Sequence, residues 1–461
     1  MSSQTGTRLY GGDATPDTQR RWFTGGEIPV AVYGLGKMGL PLAGVFADVT
    51  GNVTGVDIDA GRVEAINRGE CPVSGEPGLP ELVAGAVSAG ELRATTDDVA
   101  AATAASVHVV IVPTTVRENG LANLSTLREV VGVIGSGLGP GDLVLVESTV
   151  PPQTCTDVVL PLLERESGLE PGQFGLAFCP ERTKSGRALR DIEGAHPKVV
   201  GGVDGESARA ARLIYEQVTD NEVHLTVDAT TAECVKVFEG IYRDVNIALA
   251  NEFARFADDL AVDVREAIDV ANTLSVCDIH DPGVGVGGHC IPYYPYFLLS
   301  AFGRDAPLIR TARAVNDGMP MFAVRKLRRG LENRGLSIVD ARVLVLGVTY
   351  RPGVAETRKS PAWTITQSLA EAGATVFAVD PVVDDLSAFP VRETSLSAVP
   401  TLDLDGVVLV TAHEEFDAID WDDLDDLVVV DGRDALDGDS MGHDVYTIGR
   451  GPSTAGWWRD G

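Results

Sequence analysis

Short, unbroken apolar runs alternate with stretches of helical spacing through the first half of the chain. Ile28–Tyr33, Val53–Val56, Val107–Val112, Leu143–Val146 and Phe174–Phe178 each read as a strand buried on both faces, the signature of a parallel sheet. Leu40–Phe46, between the first two, has the spacing of a helix. The pattern then changes. Ala232–Ala261 contains no proline and keeps helical periodicity throughout, and Arg265–Thr273 and Ala306–Arg329 continue it. A second strand-first unit follows in Ala341–Gly347, Val376–Asp380, Val407–Thr411 and Val428–Val430, the last of these read as the final strand. A helical middle between two strand–helix alternations predicts three domains, over residues 27–222, 223–330 and 331–461, behind a polar and flexible tail, 1–26.

Length agrees with that division, since 461 residues are too many for one core. No apolar run is long enough for a membrane span, and no charged-then-apolar leader opens the sequence, so a cytoplasmic protein without a membrane partner is expected. The net charge of −30 excludes nucleic acid and anionic membranes as partners, because both require basic surface. Lysine is scarce and aspartate abundant, which suits a proteome adapted to high salt; an ordinary acidic enzyme is the alternative. Six cysteines, at 71, 155, 179, 234, 277 and 290, show no CxxC spacing. Reduced thiols are expected, with neither a zinc site nor a disulfide framework.

The first strand leads directly into Gly34-Leu35-Gly36-Lys37-Met38-Gly39, and the second ends at Asp57. A lone GxGxxG is weak evidence, but strand, glycines, helix, strand and terminal acid in about 30 residues form a dinucleotide-binding pattern. Gly36 would let a pyrophosphate approach the backbone, and the helix N-terminus supplies N–H donors and a positive dipole end. Asp57 would accept from ribose hydroxyls, which favours NAD over NADP. Arg62 could serve a 2′-phosphate, but is read as a pyrophosphate or ribose contact. Ligands of doubly wound sheets sit beyond the carboxyl ends of the strands. Thr115, Ser148 and Thr149 stand at such ends, either facing the nicotinamide or serving as helix N-caps. Glu181, after Cys179-Pro180, is either a general base or half of a surface ion pair with Arg182.

On the long helix, Lys236, Gly240, Arg243 and Asp244 fall near one face. Lys236 is either a buried cation supporting an oxyanion or a solvated end. Gly240 inside a helix costs about 1 kcal/mol against alanine, which implies close packing or an approaching ligand. In His280–Leu299, four glycines (283, 285, 287 and 288) precede Cys290, and Pro292 and Pro295 follow it. Glycines allow close approach and positive φ, and prolines limit movement of the exit. A thiol framed this way suits a nucleophile; the alternative is a small buried hydrophobe. Later, Thr349–Pro361 places basic side chains between a strand and a helix, which suits a second phosphate-bearing ligand.

In order, GLGKMGLP, VDID, EPGL, VPTT, STVPP, CPER, the Lys236 helix, GVGGHCIP, TYRPGVAETRKSP, TAHEEF and VVVDGR resemble the run of motifs in the UDP-glucose/GDP-mannose dehydrogenase family. The resemblance covers the chain from about Ile28 onward. It implies an α/β fold of two Rossmann-like doubly wound parallel-sheet domains joined by a central helical domain, whose long helix pairs subunits in a homodimer. It also implies NAD-dependent four-electron oxidation of a UDP-sugar C6 alcohol to a carboxylate. Cys290 would form a thiohemiacetal and then a thioester; Lys236 would stabilise negative oxygen, and Glu181 and Thr149 would handle water. The expected cofactor set is Gly34, Gly36, Lys37, Met38, Gly39, Asp57, Arg62, Thr115, Thr149 and Arg358. The expected substrate set is Glu181, Arg182, Lys236, Arg243, Asn246, Gly287, Tyr350 and Arg351. Tyr242–Ala248 is most similar to the branch acting on UDP-N-acetyl-D-mannosamine, with UDP-glucose the alternative. Two positions depart from the family. Tyr294 stands where an Asp usually follows the cysteine by four residues, and Gly240 where an Asn follows the lysine by four. Thioester hydrolysis is the step these changes bear on, and a homologue that binds a nucleotide sugar without turnover is the further alternative. The resemblance also suggests that the Tyr294 ring fills space vacated at Gly240.

Overall fold

A computed structural model describes residues 7–184, 186–303, 305–438 and 440–451. The chain divides into two compact units, residues 1–239 with 296–303, and residues 240–295 with 304–461. Residues of the expected central domain fall in both.

The first unit is built on an eight-stranded sheet. From one edge to the other the strands are Val223–Leu225, Lys198–Gly202, Gly175–Phe178, Leu143–Val146, Val107–Val110, Val30–Tyr33, Val53–Val56 and Leu92–Thr95. Neighbours are parallel except Gly175–Phe178 against Lys198–Gly202. Val30–Tyr33 lies between Val53–Val56 and Val107–Val110, so the strand order reverses beside it and a crevice opens at its carboxyl end. Leu92–Thr95 was not expected from the sequence, because its burial alternates and leaves no apolar run. Residues 7–26 are not a loose tail. Thr15 caps a helix, Pro16–Thr24, whose Phe23 is fully buried and meets the Phe46 ring edge-on at 6.4 Å.

The second unit holds an all-parallel sheet ordered Arg392–Glu393, Thr375–Val379, Arg342–Leu346, Gly406–Leu409, Val428–Asp431 and Asp444–Thr447. The expectation that Val428–Val430 ends the sheet is corrected by Asp444–Thr447. That strand is an edge with mostly polar, half-exposed residues, and carries no apolar signal. The long helix runs Ala229–Leu260, belonging to the first unit through Glu239 and to the second from Gly240. Ala306–Arg329 is two helices, Pro307–Asp317 and Met319–Asn333, because Gly318 ends the first and Pro320 starts the second. Among the described residues, no helix is long and apolar enough to cross a membrane.

Candidate active site

In the first unit the glycine loop has the geometry that a pyrophosphate requires. Gly34 has φ +96°, and a Cβ there would lie 2.5 Å from the Ile111 carbonyl oxygen. A Cβ on Gly39 would run into the Gly34 carbonyl, whereas around Gly36 there is open space. The helix Gly39–Thr50 follows with Met38 at its N-cap and no side chain capping it. Lys37 and Met38 are half-buried beside that end, and the Met38 sulfur accepts from the Thr183 hydroxyl at 2.9 Å. Asp57 takes the Leu35 amide at 2.8 Å and the Asp59 amide at 2.9 Å, which fixes the loop to the second strand. Arg62 is 3.0 Å from both Asp57 oxygens, so its guanidinium faces this carboxylate. Burial works against the Asp57 charge, but the two amides and Arg62 outweigh it and hold the carboxyl below its ordinary value.

The second unit repeats the device. Gly347 has φ +81°, and a Cβ there would lie 2.5 Å from the Thr411 carbonyl oxygen, as Gly34 does against Ile111. Asp380 ends the next strand and accepts the Val348 and Thr349 amides at 2.7 and 3.0 Å, as Asp57 does from Leu35. His413, from beyond the strand Gly406–Leu409, lies 3.3 Å from Asp380, so a different element supplies the partner that Arg62 gives Asp57. Both sheets therefore bend the chain sharply after one strand and tie the bend down with an acid at the end of the next.

Lys236 is buried, not a solvated end. Its ammonium donates to the Glu181 carbonyl and lies 3.9 Å from the Glu181 carboxylate. Glu181 is not paired with Arg182, which turns instead to Glu239 at 2.6 Å and the Pro197 carbonyl at 2.8 Å. Burial raises the Glu181 carboxyl above its ordinary value, while Lys236 pulls the other way. A carboxyl raised in this way binds a proton more readily than a solvated one. Ser148 is a structural bridge, accepting from the Val112 amide and donating to the Val112 carbonyl, each at 2.8 Å. Thr149 is half-buried, and its carbonyl accepts from Thr114 at 2.6 Å. Thr115 opens a two-stranded turn with Asn123.

In the second unit the Cys290 loop lies along the Thr349–Pro361 turn, and its glycines are required there. A Cβ at Gly287 would be 2.7 Å from the Tyr350 Cβ and 2.8 Å from the Lys359 carbonyl oxygen. Gly288, at φ +98°, would meet the Tyr350 ring at 3.0 Å, and its amide donates to the Arg358 carbonyl at 2.9 Å. Cys290 is exposed, and its carbonyl accepts the Tyr293 and Tyr294 amides at 3.0 Å, which starts the helix Tyr294–Ala301. His289 joins Glu356 at 3.0 Å across the same contact. Burial raises the Tyr350 hydroxyl above its ordinary value, with Cys290 and Glu356 adding to it and Arg351 opposing. Arg351 and Arg358 are exposed on the turn. Asn246 is a strut: its side chain accepts the His280 amide at 2.9 Å and donates to the Asp278 carbonyl at 2.5 Å. Arg243 is exposed near His280.

Several residues here were not expected from the sequence. Asn251 accepts the Gly283 amide at 2.8 Å and donates to Asn316 at 2.8 Å, and Asn316 with Arg313 holds the buried Asp244. This polar chain anchors the start of the cysteine loop. Its only sequence signal is two asparagines, 246 and 251, on an otherwise apolar stretch of helix. Arg433 comes within 2.8 Å of a Cβ built on Gly283. All six cysteines are unpaired thiols, and among the described residues no group of three or more His, Cys, Asp or Glu side chains could hold a metal ion.

Three family models match the chain in order: the NAD-binding domain of the UDP-glucose/GDP-mannose dehydrogenase family over residues 28–219, its central domain over 230–318 and its UDP-binding domain over 344–438. The chain belongs to the UDP-glucose/GDP-mannose dehydrogenase family. UDP-N-acetyl-D-mannosamine dehydrogenase of Pyrococcus horikoshii is 36% identical over 428 residues, 92% of this chain and 99% of that protein. The solved structure of UDP-D-ManNAc dehydrogenase from that organism superposes with a TM-score of 0.85, at 35% identity, over 92% of this chain and 100% of the other. NDP-N-acetyl-D-galactosaminuronic acid dehydrogenase of Ralstonia solanacearum is 35% identical over 413 residues, 88% of this chain and 95% of that protein. The expected fold is therefore correct, and the chain is an NAD-dependent dehydrogenase of nucleotide sugars. The Gly34–Gly39 loop and Asp57 fit the cofactor, since they leave the open backbone approach, helix end and acid that NAD requires.

Proposed function

We propose that this enzyme oxidises the C6 alcohol of UDP-N-acetyl-D-mannosamine to the carboxylate, giving UDP-N-acetyl-D-mannosaminuronate. The observation that carries the reading is the exposed Cys290 on a glycine loop packed against the Tyr350–Lys359 turn of the UDP-binding domain. NAD, when bound, accepts a hydride at each of two oxidations. The chain supplies the rest. The Cys290 thiolate adds to the C6 aldehyde, forming a C–S bond and an alkoxide, and so retains a reactive intermediate that would otherwise escape. Lys236 steadies the negative oxygen. Loss of hydride from the thiohemiacetal gives the thioester. Glu181, with Thr149, orients a water and takes its proton as the water oxygen bonds to the thioester carbon; the C–S bond then breaks, the Cys290 thiolate is regenerated and the carboxylate leaves. Arg243, Tyr350, Arg351 and Gly287 are assigned to the substrate, and Arg358 to the cofactor. Asn246 acts on the substrate indirectly, through the loop it braces.

The sugar is inferred from the Tyr242–Ala248 stretch and from the names of the relatives at 35–36% identity. A cytoplasmic setting suits a thiol that must stay reduced. Subunits pair through the long helix. Tyr242, Leu249, Phe253, Phe256 and Leu260 are exposed at helical spacing on its second-unit part, a stripe that a second copy would cover. Replacing Phe253 and Phe256 with aspartate should give monomers in sedimentation.

One observation favours a second reading. The polar pair that the family places at 240 and 294 is a glycine and a tyrosine here, which favours an enzyme that forms the thioester and hydrolyses it slowly. Counting NADH from limiting UDP-N-acetylmannosamine in molar KCl, with UDP-glucose in parallel, separates the readings. Continued formation of two NADH per sugar, with sugar in excess of enzyme, supports full turnover, and a burst of two NADH per active site followed by a stall supports slow hydrolysis. Turnover of UDP-glucose alone overturns the sugar assignment. No NADH from either sugar, with both ligands bound, overturns catalysis.

A further inference from the structure

Behind Glu181 lies a second pair of charges that the mechanism above does not use. Glu147 follows the strand Leu143–Val146 and is almost fully buried, and its backbone carbonyl accepts from the Glu181 amide at 3.5 Å. Its carboxylate meets the Lys198 ammonium at 2.9 Å and accepts from the Tyr215 hydroxyl. Lys198 also donates to the carbonyl of Pro180, the residue before Glu181, at 3.3 Å, and sits 4.3 Å above the Tyr215 ring. Glu147, Pro180, Glu181, His196, Lys198 and Tyr215 line one small cavity of about 30 Å³, room for an ordered water.

A buried ion pair is a costly way to fill space. Apolar residues of similar volume are often at least as stable, so its retention calls for another reason. The groups facing Glu181 supply one. They are Lys236 from the long helix, the Thr183 amide from its own turn, Glu147 from the neighbouring strand end and Lys198 from the strand beyond, with Arg182 turned away to Glu239. The result is two carboxylates and two ammonium groups in one cluster, Lys236 beside Glu181 and Lys198 beside Glu147.

We propose that Glu147 and Lys198 are positioning residues for Glu181: they fix its turn through the Pro180 carbonyl and set the charge surrounding its carboxylate. The inference rests on the reading that Glu181 handles the hydrolytic water. Around Glu181 the two partners act in opposite senses, Glu147 raising its proton affinity and Lys198 lowering it. That opposition gives a signature no purely structural role would produce.

The test is the pH profile of the steady-state NADH rate, with the pre-steady-state burst as a control, in wild type, Lys198→Met, Glu147→Gln and the double variant. Glu147→Gln keeps the side-chain volume and an acceptor for Tyr215, so it is the variant expected to fold with least disturbance. Lys198→Met should move the acid limb of the profile to higher pH, and Glu147→Gln should move it lower, each by on the order of one pH unit. The double variant should return it close to wild type, with the burst unchanged throughout. Lys198→Arg should restore the wild-type limb. Rates that fall equally at every pH, or limbs that move in the same direction, overturn the inference. A Glu181→Gln enzyme with a full steady-state rate overturns both this inference and the role given to Glu181. Unmoved limbs beside an inactive Glu181→Gln enzyme overturn this inference alone.

Discussion

The ring of Tyr294 lies over Gly240, in the space where any other residue would carry its Cβ. A Cβ built there would be 3.0 Å from the ring Cγ, 3.1 Å from Cε2 and closer still to Cδ2. The Tyr294 amide donates to the Cys290 carbonyl at 3.0 Å, so the same residue both opens the helix after Cys290 and plugs a notch in the long helix. The glycine that a helix would otherwise disfavour is explained by the ring that needs its place. Two departures from the family pattern are thus one packing solution, and they register the Cys290 turn against the helix.

Gly240→Ala should therefore change sign with its background. With Tyr294 present, the new methyl group forces the ring aside and should destabilise the protein by about 1–3 kcal/mol. In a Tyr294→Ala protein the notch is empty, and the same substitution should stabilise by about 1 kcal/mol through helix propensity. Chemical denaturation of the four proteins at fixed KCl measures the coupling. Additive effects would mean that the ring and the glycine do not share the space.

On the proposed mechanism, thioester hydrolysis is the step this packing bears on. Replacing both residues with the family's pair, Gly240→Asn with Tyr294→Asp, should raise the ratio of steady-state to burst NADH by about tenfold or more, within the range that a placed polar group supplies to proton transfer. Tyr294→Asp alone should not, because it leaves the notch unfilled and the cysteine turn unregistered. Stopped-flow traces of NADH formation give both phases in one experiment. An unchanged ratio in the paired variant would place the slow step elsewhere.

Much of this was legible from the chain because the relevant signals are local. Val30–Tyr33, the glycines after it and Asp57 lie within one strand–helix–strand unit, and the structure joins them through the Leu35 amide as the spacing requires. The Cys290 loop was legible for the same reason. Charge partners were not, since they are set by tertiary contact: Arg62 faces Asp57, and Glu181 meets Lys236 from 55 residues away. The sequence allows Ser148 as a ligand-facing hydroxyl or a helix N-cap, whereas its hydroxyl bridges strand ends. The helix Pro16–Thr24 was missed because a polar, threonine- and arginine-bearing stretch hides the one buried ring, Phe23, that seats it. Asp444–Thr447 was missed because an edge strand needs no apolar run.

Asn251 is the residue we expect to matter most among those the sequence did not flag. Its side chain is fully buried and joins the Gly283 amide to Asn316. Asn251→Leu leaves both partners unsatisfied and should cost about 1–3 kcal/mol of stability. The start of the cysteine loop also loses its anchor, so kcat should fall about tenfold with KM little changed, as expected when a reacting group is misplaced and binding groups are not. A Cys290 alkylation rate measured alongside should change as well. An intact kcat would show that Asn246 and the glycine contacts hold the loop unaided.

Glu233 gives a prediction about pH. It is fully buried in the first unit, and its carboxylate accepts the Gln153 amide at 2.6 Å and the Cys155 amide at 2.8 Å, securing the chain beyond Thr149 to the helix that carries Lys236. Burial pushes its carboxyl from 4.5 up to about 7, against the pull of those amides. The folded state therefore holds this proton more tightly than the unfolded state. Its contribution to stability is full below about pH 4.5 and is lost as the pH rises through about 7. Over that window the wild type should lose up to about 3 kcal/mol from this group. Glu233→Gln should be less stable at low pH, where it gives up one amide contact, but should lack this part of the slope. Unfolding free energies of the two proteins across the window, at constant salt, should converge as the pH rises. Parallel curves would show that Glu233 stays ionised in the folded protein and that the amides outweigh its burial.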